Sequence, residues 1–151
     1  MLKIREVTLE DLHSLYDLYI NHLFKNRIDV DEQQDMDKWT ELLNKLIADT
    51  DYYILIGEVD SKIVSSVTLI VIENLPHYLR SYALIENVVT HEDYRNKGYA
   101  SELIKYASQI AEDNNCYKIM LLTGSKQEST LKFYENCGFN RTDKTGFIKW
   151  I

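Results

Sequence analysis

Residues 52–73 read YYILIGEVDSKIVSSVTLIVIE, two long runs rich in β-branched and aromatic residues on either side of Asp60-Ser61-Lys62. Such runs favour strands, and the short polar break between them is typical of a hairpin turn. After the loop at Pro76, SYALIENVVT supplies another strand of the same kind. These three strands predict an antiparallel meander, so the rest of the chain has to supply the layers that cover it.

Helical patterns lie before and after this meander. LKIREV alternates like a short first strand, and apolar residues then recur at helical spacing through LEDLHSLYDLYINHLF and MDKWTELLNKLIAD. Thr8, with Asp11 three residues on, resembles a capping box at the first of these helices. A helix from about Gly98 to Asn114, a strand YKIMLL, a helix across ESTLKFYENC and a final strand pair around Phe139 and GFIKWI follow. The predicted order is β-αα-βββ-α-β-α-ββ, an α/β fold with a mixed, mostly antiparallel central sheet flanked by helices.

Composition limits the domain count and the class of partner. The 151 residues include one proline and five glycines and show no linker, so residues 1–151 are expected to form a single domain. The net charge of −7 has the wrong sign for broad binding to nucleic acid. The N-terminal sequence lacks the layout of a signal peptide, and no apolar run approaches the roughly 18 residues of a membrane span. These features predict a cytoplasmic protein with no membrane partner.

Cysteines and histidines do not indicate a metal. Cys116 and Cys137 are too few for a disulfide framework and lack metal-ligand spacing, so we expect both to be reduced. The four histidines share no local metal or triad spacing. The sequence therefore predicts a protein without a metal cofactor.

YRNKGYASELIKYA, from Tyr94 to Ala107, combines a basic turn with the start of a helix. Gly98 lets the backbone approach a ligand closely, and the first amides of the helix are free to bind an anion. Arg95 and Lys97 add positive charge beside them. The pattern suits a phosphate group, although a solvated turn before a surface helix is an alternative interpretation.

Arg95-Asn96-Lys97-Gly98-Tyr99-Ala100 fits R/Q-x-x-G-x-G/A, the signature of the GNAT superfamily of N-acetyltransferases, which this chain resembles over nearly its whole length. ALIENVVTHEDYR resembles the fourth strand and following loop of that family, and TLKFYENCGF resembles its late helix. The resemblance implies that acetyl-coenzyme A is the cosubstrate. It also implies that the loop and helix N-terminus hold the pyrophosphate through Arg95, Asn96, Lys97, Gly98, Tyr99, Ala100 and Ser101.

Among subfamilies, IENVV, CYKIML and KFYENCGF look most like glucosamine 6-phosphate N-acetyltransferase. That subfamily typically carries, after the fifth strand, an Asp that helps to position the amine. Here Leu121-Leu122-Thr123-Gly124 and a longer GSKQES loop stand in its place. The resemblance therefore implies the chemistry more firmly than the acceptor.

Acetyl transfer needs a neutral amine and a polarised carbonyl group. Glu86 lies among apolar residues in YALIENVV and, with a period of two, shares a strand face with Leu84 and Val88. We therefore expect a partly desolvated carboxylate that suits a general base, acting directly or through water. A glutamate at a sheet edge or in a structural hydrogen bond is the alternative. For the carbonyl group, the resemblance implies a backbone amide near Val88 and Val89.

The late helix supplies the remaining predicted site residues. The resemblance implies that Tyr134 donates a proton or a hydrogen bond to the departing sulfur of coenzyme A. Phe133 and Tyr134 also fit core aromatic residues of a helix, which is the alternative role. Ser129 or Thr130 is expected to contact the pantetheine arm or the adenosine part of the cosubstrate.

The sequence thus predicts direct transfer of an acetyl group from acetyl-coenzyme A to a primary amine on a small molecule. Glucosamine 6-phosphate is one alternative acceptor, polyamines, aminoglycosides and peptide amines are others, and the acidic net charge favours a cationic acceptor. A non-catalytic module that senses acyl-coenzyme A is the alternative from another class. The C-terminal GFIKWI is a candidate edge strand for pairing two copies into a homodimer.

Overall fold

The computed structural model describes residues 1–23 and 35–151 of the chain. Five strands lie side by side in the order of the sequence, and they are β1 (Lys3–Glu6), β2 (Tyr52–Val59), β3 (Lys62–Ile72), β4 (Tyr82–Thr90) and β5 (Ile119–Leu121). Strands β1 to β4 pair antiparallel. Two successive backbone hydrogen bonds, Tyr117 N to Ser81 O at 2.9 Å and Ala83 N to Lys118 O at 3.0 Å, set β5 parallel to β4. The predicted meander and the mixed sheet are therefore confirmed.

The chain divides into two compact units, residues 1–120 and 121–151. In the first unit, one face of the sheet is covered by the first two helical segments. Leu9–Asp11 forms a 3₁₀ turn, α1 spans Leu12–Leu18, Tyr19–Leu23 continues as a π-helix, and α2 spans Met36–Ala48. The predicted first helix is thus confirmed as far as Leu23, and its last predicted residue, Phe24, lies outside the described residues.

A buried cluster joins these helices to the sheet, because their apolar stripes face it. Its members are apolar or aromatic side chains, and they are Val7, Leu12, Leu15, Leu18, Tyr19, Leu43, Ile54, Ile56, Ile63 and Val89. The cluster takes residues from β2 and β3 and reaches β4 at Val89. The part of β4 that precedes Val89 therefore lies outside this buried cluster.

The opposite face of the sheet is covered by α4 (Tyr99–Asp113), which packs against β2, β3 and β4. Leu103, Ile104, Ala107 and Ala111 recur at helical spacing and are buried in this contact. A Cβ atom at Gly57 would lie 2.9 Å from Leu2 Cδ1, so the glycine lets the N-terminal leucine approach β2.

The β3–β4 connection contains α3 (Pro76–Leu79), a single turn whose residues 77 to 79 all have positive φ angles near 60°.

An ion-pair network fixes β1 against the start of the first helical segment. Arg5 binds Asp11 through two contacts, Nη1 to Oδ2 at 2.7 Å and Nη2 to Oδ1 at 2.9 Å, and its Nη2 also lies 3.0 Å from Glu58 Oε2. Asp11 Oδ2 accepts the Thr8 backbone N–H at 2.8 Å, which is the reciprocal half of the predicted capping box. The hydrogen bonds from Arg5 lower the pKa of the Asp11 carboxyl group from 3.8 to about 2, against the opposing effect of burial.

The second unit, Leu121–Ile151, is built around α5 (Glu128–Asn136). The helix ends at Asn136, and the φ of 93° at Gly138 lets its N–H reach Glu135 O while the Phe139 N–H reaches Tyr134 O. This pair of bonds is a Schellman cap, and it explains why a glycine follows this helix. Arg141 then folds back onto it, with contacts of 2.8 Å to Glu128 Oε1 and 2.9 Å to Glu135 Oε1.

The final strand pair predicted around Phe139 and GFIKWI is wrong, because the second unit contains no strand after Leu121. Apolar side chains of the predicted last strand are instead exposed, and they are Phe147, Ile148, Trp150 and Ile151. A strand needs a neighbour that accepts its backbone hydrogen bonds, and this unit supplies none. The sequence pattern alone could not predict the missing partner.

Candidate active site

A β-bulge interrupts the pairing of β4 with β3. Ser66 lies opposite Val89 and Thr68 lies opposite Glu86, so Val67 faces two residues, Asn87 and Val88. Asn87 has a φ of 53°, a left-handed conformation that Asn tolerates better than most residues. A bulge leaves its extra residue out of the hydrogen-bond ladder. The backbone around residues 87 and 88 can therefore bind a ligand group.

The bulge corrects the predicted orientation of this strand. Glu86 shares its face of the strand with Leu84, as predicted. The extra residue of the bulge shifts the alternation beyond it, so Glu86 also shares this face with Val89 and not with Val88. The expected partial desolvation is also not found, because the Glu86 side chain is exposed. The physical reason is that the buried cluster on this face of the sheet reaches β4 at Val89 and does not cover Glu86.

Glu86 nevertheless faces the same side of the sheet as α1 and α2. The register places Ile54, Thr68 and Glu86 side by side on three adjacent strands. Burial raises the pKa of Tyr52, and the nearby Tyr19 and Glu86 raise it further. The carboxylate therefore lies beside phenol groups that are neutral near pH 7.

The loop after β4 leads into an uncapped helix N-terminus. Arg95 Nε donates a hydrogen bond to Thr90 O at 3.2 Å, which ties the loop to the end of the strand. Asn96 and Gly98 both have positive φ angles, 60° and 82°. The Gly98 carbonyl group accepts the first helical bond, from Glu102 N at 3.0 Å, and no described side chain caps the helix. The amides of residues 99 to 101 therefore precede the helical hydrogen bonds and can bind an anion.

Space and charge at this helix end also suit a phosphate. A Cβ atom built on Gly98 has no atom within 4 Å, so the approach to the amides is open. The Lys97 ammonium group lies 4.7 Å from the centre of the Tyr94 ring, and Lys62 lies 5.2 Å from it on the neighbouring hairpin. The residues present therefore fit a negatively charged ligand group.

Sequence reasoning missed a histidine pair beside this loop. The rings of His22 and His91 lie 4.1 Å apart, and Lys62 Nζ lies 3.2 Å from His91 Nε2. His22 Nδ1 also accepts the Glu92 backbone N–H at 3.4 Å. The pair links the π-helix to the end of β4, a contact between residues about 70 positions apart that no local spacing indicates.

A cavity of about 490 Å³ lies between the first two helices and the sheet, and we call it the α1–α2 cavity. Its lining is mostly apolar and aromatic, and it consists of Leu15, Tyr19, Asp35, Lys38, Trp39, Leu42, Leu43, Leu46, Tyr52, Ile54, Thr68 and Asn87. Asn87 belongs to both the cavity and the bulge, so the cavity reaches the interrupted part of β4. Trp39 and Asn87 carried no predicted role in the site, because the cavity is formed by residues far apart in the sequence.

Tyr19 lines this cavity and has a buried hydroxyl group. The side chain is 9% exposed, and burial raises its pKa. Its hydroxyl group is directed toward those of Ser66 and Thr68, but no described residue meets hydrogen-bond geometry with it. Ser66 Oγ donates instead to Leu55 O at 3.0 Å. The polar neighbours of the Tyr19 hydroxyl group are therefore side chains of β3.

The predicted site residues of the late helix lie in the second unit. Tyr134 is half-buried in α5, with its ring 5.0 Å from that of Phe133 and 6.3 Å from that of Phe139. Thr130 is half-buried, and its Oγ1 lies 3.1 Å from Ser125 Oγ, whereas Ser129 is exposed. The aromatic contacts of Tyr134 fit the alternative of a packing role as well as a catalytic one.

Residues 1–23 and 35–151 contain no group of three His, Cys, Asp or Glu side chains arranged to hold a metal ion. Both cysteines are free, and burial raises the pKa of the Cys116 thiol, which keeps it protonated near pH 7. In the part of the chain that the structure describes, no helix combines the length and apolarity that a bilayer crossing needs.

Comparison with known proteins identifies the family. The profile of the Acetyltransferase (GNAT) family matches residues 12–139. The chain belongs to this family. It is an N-acetyltransferase, an enzyme, and acetyltransferases of this family use acetyl-coenzyme A as cosubstrate. The family and the fold class predicted from the sequence are thus confirmed.

Two curated relatives of this acetyltransferase share its sequence at a similar level. Glucosamine 6-phosphate N-acetyltransferase 1 of Dictyostelium discoideum is 31% identical over 108 residues, which cover 70% of this chain and 67% of the relative. Glucosamine 6-phosphate N-acetyltransferase of Trypanosoma brucei brucei is 31% identical over 83 residues, which cover 55% of this chain and 54% of the relative. The match therefore spans about half the length of the second relative.

A solved structure assigned to the acetyltransferases, from Agrobacterium tumefaciens strain C58, is 34% identical to this acetyltransferase. The comparison has a TM-score of 0.88 and covers 99% of both chains. The similarity therefore extends over almost the whole length of the acetyltransferase.

Proposed function

We propose that this chain transfers an acetyl group from acetyl-coenzyme A directly to a primary amine on a small molecule. The observation that carries the proposal is the uncapped N-terminus of α4, which follows a basic loop and a left-handed Gly98. Arg95, Asn96, Lys97, Gly98, Tyr99, Ala100 and Ser101 would hold the pyrophosphate. Backbone amides and the positive end of a helix dipole are suited to that group.

The bulge in β4 supports a role for its backbone in the reaction. In the transfer, the amine nitrogen bonds to the thioester carbonyl carbon, the carbon–sulfur bond breaks, and the amine proton ends on the sulfur of coenzyme A. A backbone amide near Val88 or Val89 would stabilise the negative charge that develops on the carbonyl oxygen. Ser65 Oγ donates to Val89 O at 2.8 Å, which holds the strand in place just beyond the bulge.

Two side chains are proposed for the proton transfers. Glu86 would accept the amine proton, directly or through water, since it faces the same side of the sheet as the α1–α2 cavity. Tyr134 would donate a proton or a hydrogen bond to the departing sulfur, and Thr130 would contact the pantetheine arm or the adenosine part. Glu86→Gln keeps the shape of the side chain and removes the base, so we expect kcat/KM to fall while the exposed position leaves folding unchanged.

The pyrophosphate site is tested by a pair of matched variants. Asn and Asp both tolerate the left-handed backbone at Gly98 and have nearly the same shape, so Gly98→Asp and Gly98→Asn differ mainly in charge. Each like charge at about 4 Å costs about 1 kcal/mol in water, so two pyrophosphate charges predict roughly thirtyfold weaker binding of acetyl-coenzyme A to the Asp variant. Calorimetry measures the difference. Equal affinities of the two variants would contradict the assignment.

The salt dependence of acetyl-coenzyme A binding provides a second test of the same variants. The penalty in Gly98→Asp should shrink between 0.1 M and 1 M salt, because the Debye length falls from about 10 Å to about 3 Å. A penalty that does not depend on salt would indicate a steric effect and not the proposed charge repulsion. Turnover is followed in parallel by the release of free coenzyme A thiol in the presence of a panel of amines.

Glucosamine 6-phosphate is a second candidate acceptor. The relatives from Dictyostelium and Trypanosoma that carry its name favour it. It therefore belongs in the panel.

Three broader properties complete the proposal. We propose that residues 1–151 act as one domain and that the protein is cytoplasmic, which its two free cysteines support. We also propose a homodimer without metal, nucleic acid or membrane partners. The exposed apolar residues of GFIKWI support the dimer, since they lack a strand partner within the second unit. Solution scattering that gives the mass of a monomer would contradict it.

A further inference from the structure

The α1–α2 cavity carries information on the acceptor that the motifs do not. Resting on the acetyl transfer proposed above, we infer that the acceptor is a primary amine with an apolar, aromatic body, such as an arylalkylamine, and not a phosphorylated amino sugar. The inference goes against the names of the curated relatives. It is based on the walls, the charges and the polar end of the cavity.

The walls of the cavity match a hydrocarbon body. Trp39 and Tyr52 face it together with the leucines of α2, and the cavity volume of about 490 Å³ lies in the range of small-molecule sites. The Trp39 ring is fixed by an edge-to-face contact with Tyr16, with ring centres 5.0 Å apart. A fixed aromatic wall favours a flat apolar ligand, because such pairs gain from both burial and ring geometry.

The described residues of the cavity supply little positive charge for a phosphate. Among the described lining residues, Lys38 is the single cation, and its side chain is 82% exposed with Nζ 3.7 Å from Asp35 Oδ2. Asp35 is itself fixed at the N-terminus of α2, where it accepts the amides of Asp37 and Lys38. A phosphate site normally gathers arginine or several hydrogen-bond donors around the dianion. Here the lysine already lies beside a carboxylate.

The polar end of the cavity suits an amino group. Tyr19, Thr68 and Asn87 line that end, and Thr68 and Asn87 carry polar side chains. An amine nitrogen could bond to these two side chains. Because Asn87 is also part of the bulge and Glu86 lies beside Thr68, an amine at this end would lie next to the proposed reaction centre. The aromatic body would then extend along Trp39 toward Leu42.

Occupancy of the cavity can be measured without the acetyl-transfer reaction. The chain contains two tryptophans, and Trp150 is 76% exposed, so Trp150→Phe leaves Trp39 as the single indole reporter at little cost to folding. Phenethylamine and glucosamine 6-phosphate are titrated into this variant while tryptophan fluorescence is recorded. We expect a saturable change with phenethylamine and at least tenfold weaker binding of glucosamine 6-phosphate.

Two charge variants on α2 sharpen the test. Leu42 lines the cavity and is 55% exposed, and Ile47 is 43% exposed on the same helix but does not line the cavity. Leu42→Lys should weaken the binding of phenethylamine about fivefold or more, because it adds a positive charge near a cationic ligand. Ile47→Lys should leave the affinity for phenethylamine unchanged.

The outcomes separate this inference from the proposed function. Binding of phenethylamine with release of coenzyme A thiol supports both. Binding without thiol release supports the inference and counts against the proposed transfer. Turnover of glucosamine 6-phosphate at a higher kcat/KM than that of phenethylamine overturns the inference and leaves the acetyltransferase intact. No fluorescence change with phenethylamine also overturns it.

Discussion

Replacing Asp11 by Asn tests the ion-pair network that joins β1 to the first helical segment. The network lowers the pKa of Asp11 from 3.8 to about 2, and the residue is 8% exposed. At about 1.36 kcal/mol per pH unit, this difference corresponds to about 2.5 kcal/mol of folding stability at pH 7. Asn keeps the shape and part of the hydrogen bonding of the carboxylate but cannot carry its charge. We therefore expect Asp11→Asn to lose about 2 kcal/mol at pH 7.

The pH dependence gives the sharper test of this prediction. Because the pKa is lower in the folded than in the unfolded state, the stabilisation is fully present above about pH 4 and is lost as the pH falls through 2. About half of it remains at pH 3. Urea unfolding of the wild type and the variant should therefore show a gap of about 2 kcal/mol at pH 7 and about 1 kcal/mol at pH 3.

Asp17→Asn is the matched control, since Asp17 is exposed on α1. We expect this variant to change the free energy of unfolding by less than about 0.5 kcal/mol at either pH. A gap for Asp11→Asn that is equal at pH 7 and pH 3 would refute the assignment to charge. It would indicate that the variant acts through packing or through the lost bond to Thr8.

Three further variants test other parts of the structure. Asn87→Val should destabilise the fold by about 2 kcal/mol in urea, because a β-branched residue is strained at a φ of 53°, and Asn87→Gly should not. Gly138→Ala should lower the folding stability by about 1 kcal/mol in thermal melting, since the φ of Gly138 is 93°. Gly124→Ala, at a position without a positive φ, should not lower it. Equal losses of stability in the two variants would argue against the Schellman cap. Tyr134→Phe should lower kcat more than it lowers the affinity for acetyl-coenzyme A, and unchanged kcat would assign this tyrosine to packing.

Local patterns in the sequence predict the elements of the first unit well. The β-rich runs and the polar Asp60-Ser61-Lys62 turn indicate the hairpin, because strand propensity and turn chemistry are short-range properties. The relation of Thr8 to Asp11 is equally local, and the structure contains the bond between them. The family signature at residues 95 to 100 coincides with the uncapped helix N-terminus.

Other features depend on contacts that the sequence does not reveal. Glu58 joins Arg5 from 53 positions away. Asn87 is a polar residue inside a β-rich run, and such a residue can either face solvent or form a bulge. The sequence does not distinguish the two cases, so the side of the sheet that Val88 occupies could not be predicted. The lining of the α1–α2 cavity comes from two helices and three strands.

The bulge at Asn87 also divides β4 into two halves, and the alternation of side chains between the two faces shifts by one residue from one half to the other. Glu86 and Val89 share a face at a spacing of three residues, which in an unbroken strand would put them on opposite faces. Deleting Asn87 would remove the bulge, so that Val88 alone would lie opposite Val67, while Val89, now 4% exposed beside α1 and α2, would stay opposite Ser66 on the same face. One inserted residue thus lets a single strand hold a carboxylate, an open stretch of backbone and a core side chain on or beside one surface of the sheet.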